Sequence, residues 1–193
     1  MNYFDYGNIS QPQKGDLLIS EPFLADPNFE RSVVFLVEHN EEGSVGFVLN
    51  KPSFLKLNEV MQGENIPQEQ SLFVGGPVQQ DTLHMVHRAD FLGEESHQIV
   101  EHVYWGGGFE EVMSLVREEQ QPHPQVRFFL GYSGWSAGQL EAELKEKSWI
   151  IFRQANENLI FDTPHDELWK KVLSLMGGRF KMYSNYPIDP RMN

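Results

Sequence analysis

Residues 125–149 read QVRFFLGYSGWSAGQLEAELKEKSW, and two readings of this stretch give two different proteins. Gly134-Trp135-Ser136-Ala137-Gly138 fits G-x-S-x-G, the strand-turn-helix elbow that presents the nucleophile of a serine hydrolase. A β-like run, Val126–Leu130, precedes it and a helix-like run follows. In the other reading Ser136 only starts a helix. With Ser136 as N-cap, Gln139 falls at N3 and completes a capping box. Trp135 and Leu140 are then spaced as a hydrophobic staple. Glu141 and Lys145, like Glu143 and Lys147, stand four apart in the favourable order. The hydrolase reading needs an acid and then a histidine downstream. Only His165 follows Ser136, with Asp162 three residues before it, and His165 falls in the first turn of another expected helix. No HGGG-type oxyanion loop precedes the motif. We therefore expect Ser136 and Gln139 to be a helix cap, with Ser136→Ala costing about 1 kcal/mol. No catalytic residue is assigned; a serine hydrolase using the GWSAG motif is the alternative.

Outward from this stretch, the composition narrows the classes. A chain of 193 residues with 40% hydrophobic and 12% aromatic residues can bury one core. Cysteine is absent, which excludes disulfides, thiol catalysis and cysteine-based zinc sites. The N-terminus MNYFDYGNIS has neither the basic nor the apolar region of a secretory signal. Apolar runs are far shorter than the roughly 20 residues of a membrane helix. A cytoplasmic protein with no membrane contact is expected.

The net charge is −13, from 15 basic and 28 acidic residues. The chain from Lys170 onward holds five basic residues (Lys170, Lys171, Arg179, Lys181, Arg191) and one acid, Asp189, leaving −17 on residues 1–169. This balance opposes binding to a phosphate backbone, and no expected helix carries a basic stripe. A nucleic-acid binder using the C-terminal basic stretch is a third, less favoured reading. The seven histidines show no metal-ligand spacing, so no metal site is expected. Gly106-Gly107-Gly108 lacks the spacing of a dinucleotide fingerprint, and no cofactor is expected.

Strands are expected at 17–20, 32–39, 44–50, 71–77, 82–88, 98–105 and 125–133, with WIIFR and NLIF as late strands. Helices are expected near 57–62, over FEEVMSLVREEQ, after Ser136, and after Thr163-Pro164 as N-cap and N1, with Gly177 as the stop. Many strands without regular β-α-β alternation give the α+β class. The domain organisation read from this is a loose tail at 1–14, a single domain at 15–177 and a C-terminal extension at 178–193.

The ordered set GDLLISEPFLADPNFERSVVFLVEH, GSVGFVLNKP, LFVGGPV, GYSGWSAGQLEAEL and LIFD…LW resembles the YqgE/AlgH family of bacterial proteins, from about Gly15 to Gly177. The resemblance implies a strongly bent mixed β-sheet flanked by three or four helices, and no established enzymatic activity or catalytic residues. Its members are often labelled candidate transcriptional regulators. The family's usual form of the motif has no serine at the elbow, which turns the resemblance against the hydrolase reading.

These lines together give a binding or regulatory protein that works through protein or small-ligand contacts. The candidate ligand site is the meeting of two strand ends, Asn50-Lys51-Pro52 and Gly75-Gly76-Pro77, with Arg31 and His84 as neighbours. Asn50 offers donors and an acceptor, Lys51 a cation, and the two glycines close backbone approach.

Overall fold

The computed structural model describes residues 11–61, 70, 72–88, 95–118 and 126–187. Among them the chain forms β1 (Leu17–Ser20), β2 (Val33–Asn40), β3 (Gly43–Val48), α1 (Leu57–Val60), β4 (Leu72–Val74) and β5 (Val78–His87). It continues with β6 (Ser96–Val100), β7 (Val103–Gly106), α2 (Phe109–Glu118), β8 (Val126–Ser136), α3 (Gln139–Lys145) and β9 (Trp149–Phe152). A π-helical turn (Asn158–Asp162), α4 (His165–Met176) and α5 (Gly178–Tyr183) complete it.

The strands pair in the order β6-β7-β5-β8-β3-β2-β1-β9, with β4 beside β8. All pairs are antiparallel except β4 with β8. The sheet is mixed, strongly curled and part of a single α+β domain, as expected. Its inner face forms one core in which Leu17 and Phe35 from one end of the strand order share a cluster with Ile99 and Val103 from the other. Trp169 and Leu173 of α4 and Phe180 of α5 fill the same cluster. Two smaller cores lie on the outer face. Leu140 of α3 packs with Leu18, Val34 and Trp149, while Val112, Met113 and Val116 of α2 pack with Leu72 and Phe128.

The curl turns on β8. Its first half pairs with β4 and β5, and its last four residues pair with β3. At the changeover Gly131 has φ 63°. There Gly75 N–H donates to Leu130 C=O at 2.8 Å, while Gly75 C=O accepts from Val48 N–H at 2.9 Å and Ser133 Oγ–H at 3.0 Å. A Cβ on Gly75 would overlap Gly131 C=O, and one on Gly76 would overlap the Tyr132–Ser133 peptide. The Gly-Gly pair is therefore needed for backbone to lie on backbone.

Several local expectations are corrected. Residues 98–105 form a hairpin, β6–β7, because the chain turns at Glu101-His102, with His102 at φ 57°. NLIF is no strand but the π-helical turn, whose Leu159, Ile160 and Phe161 are buried in the inner core. Arg127, 5% exposed, pins that turn: it donates to the carbonyls of Leu49, Phe161 and Thr163 and lies over the Phe73 ring. Burial lowers its pKa to about 10, so it stays charged at neutral pH. Helix α4 is capped by Pro164, one residue later than expected. Residues 11–14 are tied down: Pro12 is buried, Arg153 donates to Gln11 C=O, and Lys14 Nζ donates to Gln98 C=O. Beyond Gly177 the chain stays in the fold through Phe180, and Tyr186 stacks on Phe23. Residues 1–10 and 188–193 lie outside the described residues.

The cap at Ser136 is also corrected. Ser136 is the last residue of β8, paired with Gly43, and α3 starts at Gln139 behind Gly138 at φ 74°. Half of the expected box survives: the Gln139 carboxamide oxygen accepts Ser136 N–H at 3.1 Å and Ser136 Oγ–H at 3.2 Å. The stronger tie is Glu143. Its Oε2 accepts the indole N–H of Trp135 at 2.9 Å and of Trp149 at 2.7 Å, and its Oε1 accepts Gln139 Nε2–H at 2.9 Å. Ser136→Ala is accordingly expected to change stability by no more than about 0.5 kcal/mol. Glu143→Ala, which strips the acceptor from two indoles, should cost about 2–4 kcal/mol. Urea unfolding followed by tryptophan fluorescence checks both.

Candidate functional site

The two predicted strand ends do come together. Val74 N–H donates to Lys51 C=O and Ser53 N–H to Leu72 C=O, both at 2.8 Å, and Pro52 bridges to Phe73. The side chains there are occupied in holding the chain. Asn50 Oδ1 accepts Val33 N–H at 2.9 Å and its Nδ2 donates to Arg31 C=O at 2.8 Å, extending the β2–β3 ladder with a side chain. Lys51 Nζ donates to Pro27 C=O at 2.8 Å. Burial lowers its pKa, against the pull of Glu30 and Asp26. Arg31, at φ 47°, lies over the Trp169 ring and donates to Tyr186 C=O at 2.6 Å. Gly75 and Gly76 face backbone at close range and form no open nest. His84 packs against Phe47 and Tyr132, with Nε2 2.9 Å from Thr82 Oγ1.

Serine–histidine geometry occurs at a place the sequence did not flag. His39 Nδ1 lies 2.8 Å from Ser44 Oγ, and its Nε2 lies 3.7 Å from Glu141 Oε1 on α3. Ser44 is 5% exposed and sits mid-ladder between His39 and Trp135. The arrangement ties the β2–β3 hairpin to α3. Ser136, by contrast, is an ordinary ladder residue, whereas an elbow places its nucleophile on the sharp turn itself. Among the described residues no three acids or histidines gather to hold a metal, and no helix is long and apolar enough to cross a membrane.

An open concavity among the described residues lies at the end of the β2–β3 hairpin, where β8 and the start of β5 meet it. It is a groove of about 410 Å³. Val45, Val78 and Tyr132 contribute its apolar wall, and Glu38, Asn40 and Glu42 its polar rim. Among the described residues no basic one lines it. Two features make it. First, the β2–β3 register shifts between Leu36 and Glu38, so Leu36 faces Gly46 while Glu38 faces Val45. This bulge turns Glu38 and Asn40 to the inner face and His39 to the outer one, toward α3. Second, Gly134, paired with Val45 and exposed, leaves the floor bare beside Tyr132. The rim is ordered: Asn40 Nδ2 donates to Glu38 Oε1, and Glu42 N–H to Asn40 Oδ1, each at 2.8 Å. The continuous apolar run Val33–Val37 gave no sign of the bulge. Gly134 was visible in GYSGWS, and its role was not.

A sequence model described as AlgH-like matches residues 17–181. The chain belongs to the AlgH-like family. Among its relatives, a UPF0301 protein of Cytophaga hutchinsonii is 49% identical over 181 residues, covering 93% of this chain and 98% of that one. A UPF0301 protein of Bacteroides thetaiotaomicron is 38% identical over 187 residues, covering 94% and 92%. The solution structure of the AlgH protein from Pseudomonas aeruginosa superposes with a TM-score of 0.71 at 30% identity, over 92% of this chain and 97% of that one. A crystal structure of a protein from Corynebacterium diphtheriae gives a TM-score of 0.75 at 22% identity, over 91% and 93%, and shares the fold. In this chain the groove lies at the hairpin end of the curled sheet.

Asn50→Ala removes the partners of the buried Val33 N–H and of Arg31 C=O. It should lower stability by about 2 kcal/mol, read as a shift of the urea midpoint, with native-like circular dichroism below the transition.

His84 gives a pH dependence of defined sign. Burial lowers its pKa below the ordinary 6.5. As pH falls through 6.5 the unfolded chain takes up the proton before the folded one does. The stability contributed by neutral His84 is therefore intact above 6.5 and lost as pH falls from there through the folded pKa. Unfolding midpoints measured from pH 7.5 to 5 should fall less steeply in His84→Gln than in the wild type.

Proposed function

We propose that this AlgH-like protein is a non-enzymatic binding protein with a regulatory role, acting through a small ligand or a partner protein rather than by reading DNA. The groove of about 410 Å³ carries the reading. It lies in the lower part of the range of small-molecule sites, roughly 300–1,000 Å³. It joins an apolar wall to a few fixed polar groups, while the Asn50-Lys51 and Gly75-Gly76 loops are engaged in the scaffold. The charge supports the choice against DNA. The described basic residues after residue 169 are Lys170, Lys171, Arg179 and Lys181, a small group on a chain of net charge −13. A cytoplasmic location suits the same reading.

The test is to purify the protein from its native cells, denature it, and identify released small molecules and co-purified proteins by mass spectrometry. Gly134→Val serves as the groove-filled control. Gly134 carries an ordinary negative φ and is exposed, and a Cβ there would meet the Tyr132 ring edge at 3.1 Å. Wild type should retrieve a molecule that Gly134→Val does not. Equal retrieval by both would put the contact site elsewhere. A fluorophosphonate probe should leave Ser136 unlabelled; stoichiometric labelling lost in Ser136→Ala would make the protein a hydrolase.

A further inference from the structure

We propose that the groove at the mouth of the curled sheet binds a small organic cation, an ammonium or guanidinium group on an apolar stem. The inference rests on that groove being the contact site. The apolar wall is continuous with the core. Val45 and Tyr132 pack on the inner cluster, and Tyr132 meets the His84 ring, which in turn meets Phe47. This wall is half-buried and offers dispersion contact to a stem of a few carbons. The rim supplies the charge. Glu38 and Glu42 stand on it without a cation among the lining residues. Glu38 is oriented by the Asn40 amide, and Asn40 is held by Glu42 N–H. An anion entering the groove would meet two carboxylates and no donor of opposite charge. A neutral apolar molecule would gain nothing from the two rim carboxylates.

The geometry also sets the order of contacts. Glu38 and Val45 face each other across β2 and β3, and Val45 faces Gly134 across β3 and β8. Acid, aliphatic side chain and bare floor thus lie in one row across three strands, about 4.8 Å apart. A ligand of two or three strand spacings places its cationic end at Glu38 and its stem over Gly134. The bare floor is what admits the stem.

The probes are 2-phenylethylammonium, its neutral counterpart 2-phenylethanol, and the anion 3-phenylpropionate, each titrated into ¹⁵N-labelled full-length protein and followed by NMR. The ammonium is expected to shift the amides of Val45, Val78 and Gly134, and to bind about five- to tenfold tighter than the alcohol, as two exposed charge contacts allow. The preference should shrink with added salt and disappear in Glu38→Gln/Glu42→Gln, which keeps the hydrogen-bonding shape of the rim. Gly134→Val should abolish the shifts, and the double glutamine variant reports independently should that variant fail to fold. Alcohol or propionate binding in the groove as tightly as the ammonium would overturn the cation assignment and leave the groove standing as a site. Absence of groove shifts with all three probes would overturn the site as well. The same chemistry is carried by a lysine side chain. Nα-acetyl-lysine N-methylamide binding tighter than phenylethylammonium would overturn the small-molecule source in favour of a partner protein's side chain.

Discussion

Backbone lying on backbone at Gly75-Gly76 and Gly131–Ser133 is the contact on which this architecture depends. One carbonyl, that of Gly75, takes hydrogen bonds from β3 and from Ser133 while its own N–H joins Leu130. Three strands are thereby locked at one point, and β8 can leave β4 and join β3 without orphaning a buried amide. The left-handed turn at Gly131 supplies the change of direction. From this junction the sheet curls, strands far apart in the pairing order face one another, and a single inner core becomes available for α4 and α5 to close.

The residues that look most chemical in the sequence serve that architecture. Asn50 mimics a ladder residue, Lys51 closes a loop carbonyl, and Arg31 lies on Trp169. Arg127 holds three carbonyls in the interior. Glu143 joins two indoles and so ties α3 to β8 and β9. Each is a polar group that would be costly to bury unpaired. Their spacing near strand ends reflects where a curled sheet runs out of ladder partners and recruits side chains instead. The groove has the opposite character: its floor is a glycine and its rim is exposed.

Legibility in the sequence followed the range of the interaction concerned. The β2–β3 hairpin, the strand of residues 126–133 and the amphipathic α2 and α4 could be read directly, because alternation and helical periodicity are local. The hairpin at Glu101-His102 was read as one continuous strand, since nothing in QIVEHVYW is a usual turn residue. NLIF reads as a strand by composition, but its Phe161 carbonyl is held by Arg127 from a strand more than thirty residues away. At Ser136 the capping signature was genuine in part. Gln139 does reach back to it, yet pairing of Ser136 with Gly43 kept the strand going and moved the helix start past Gly138.

The sequence by itself determined the class, the family and the sign of the charge, because these rest on composition, period and an ordered set of short motifs. It also singled out Gly75-Gly76, since only glycine accepts such close backbone approach, whereas Gly131 read as an ordinary residue of the strand 125–133. The tertiary structure alone decided what faces the groove. A single unpaired residue in β2 reverses the side-chain alternation after Leu36, sending Glu38 and Asn40 inward and His39 out to Glu141. A bulge depends on how two strands fit the curvature of a whole sheet, and that curvature is set by contacts distant in sequence.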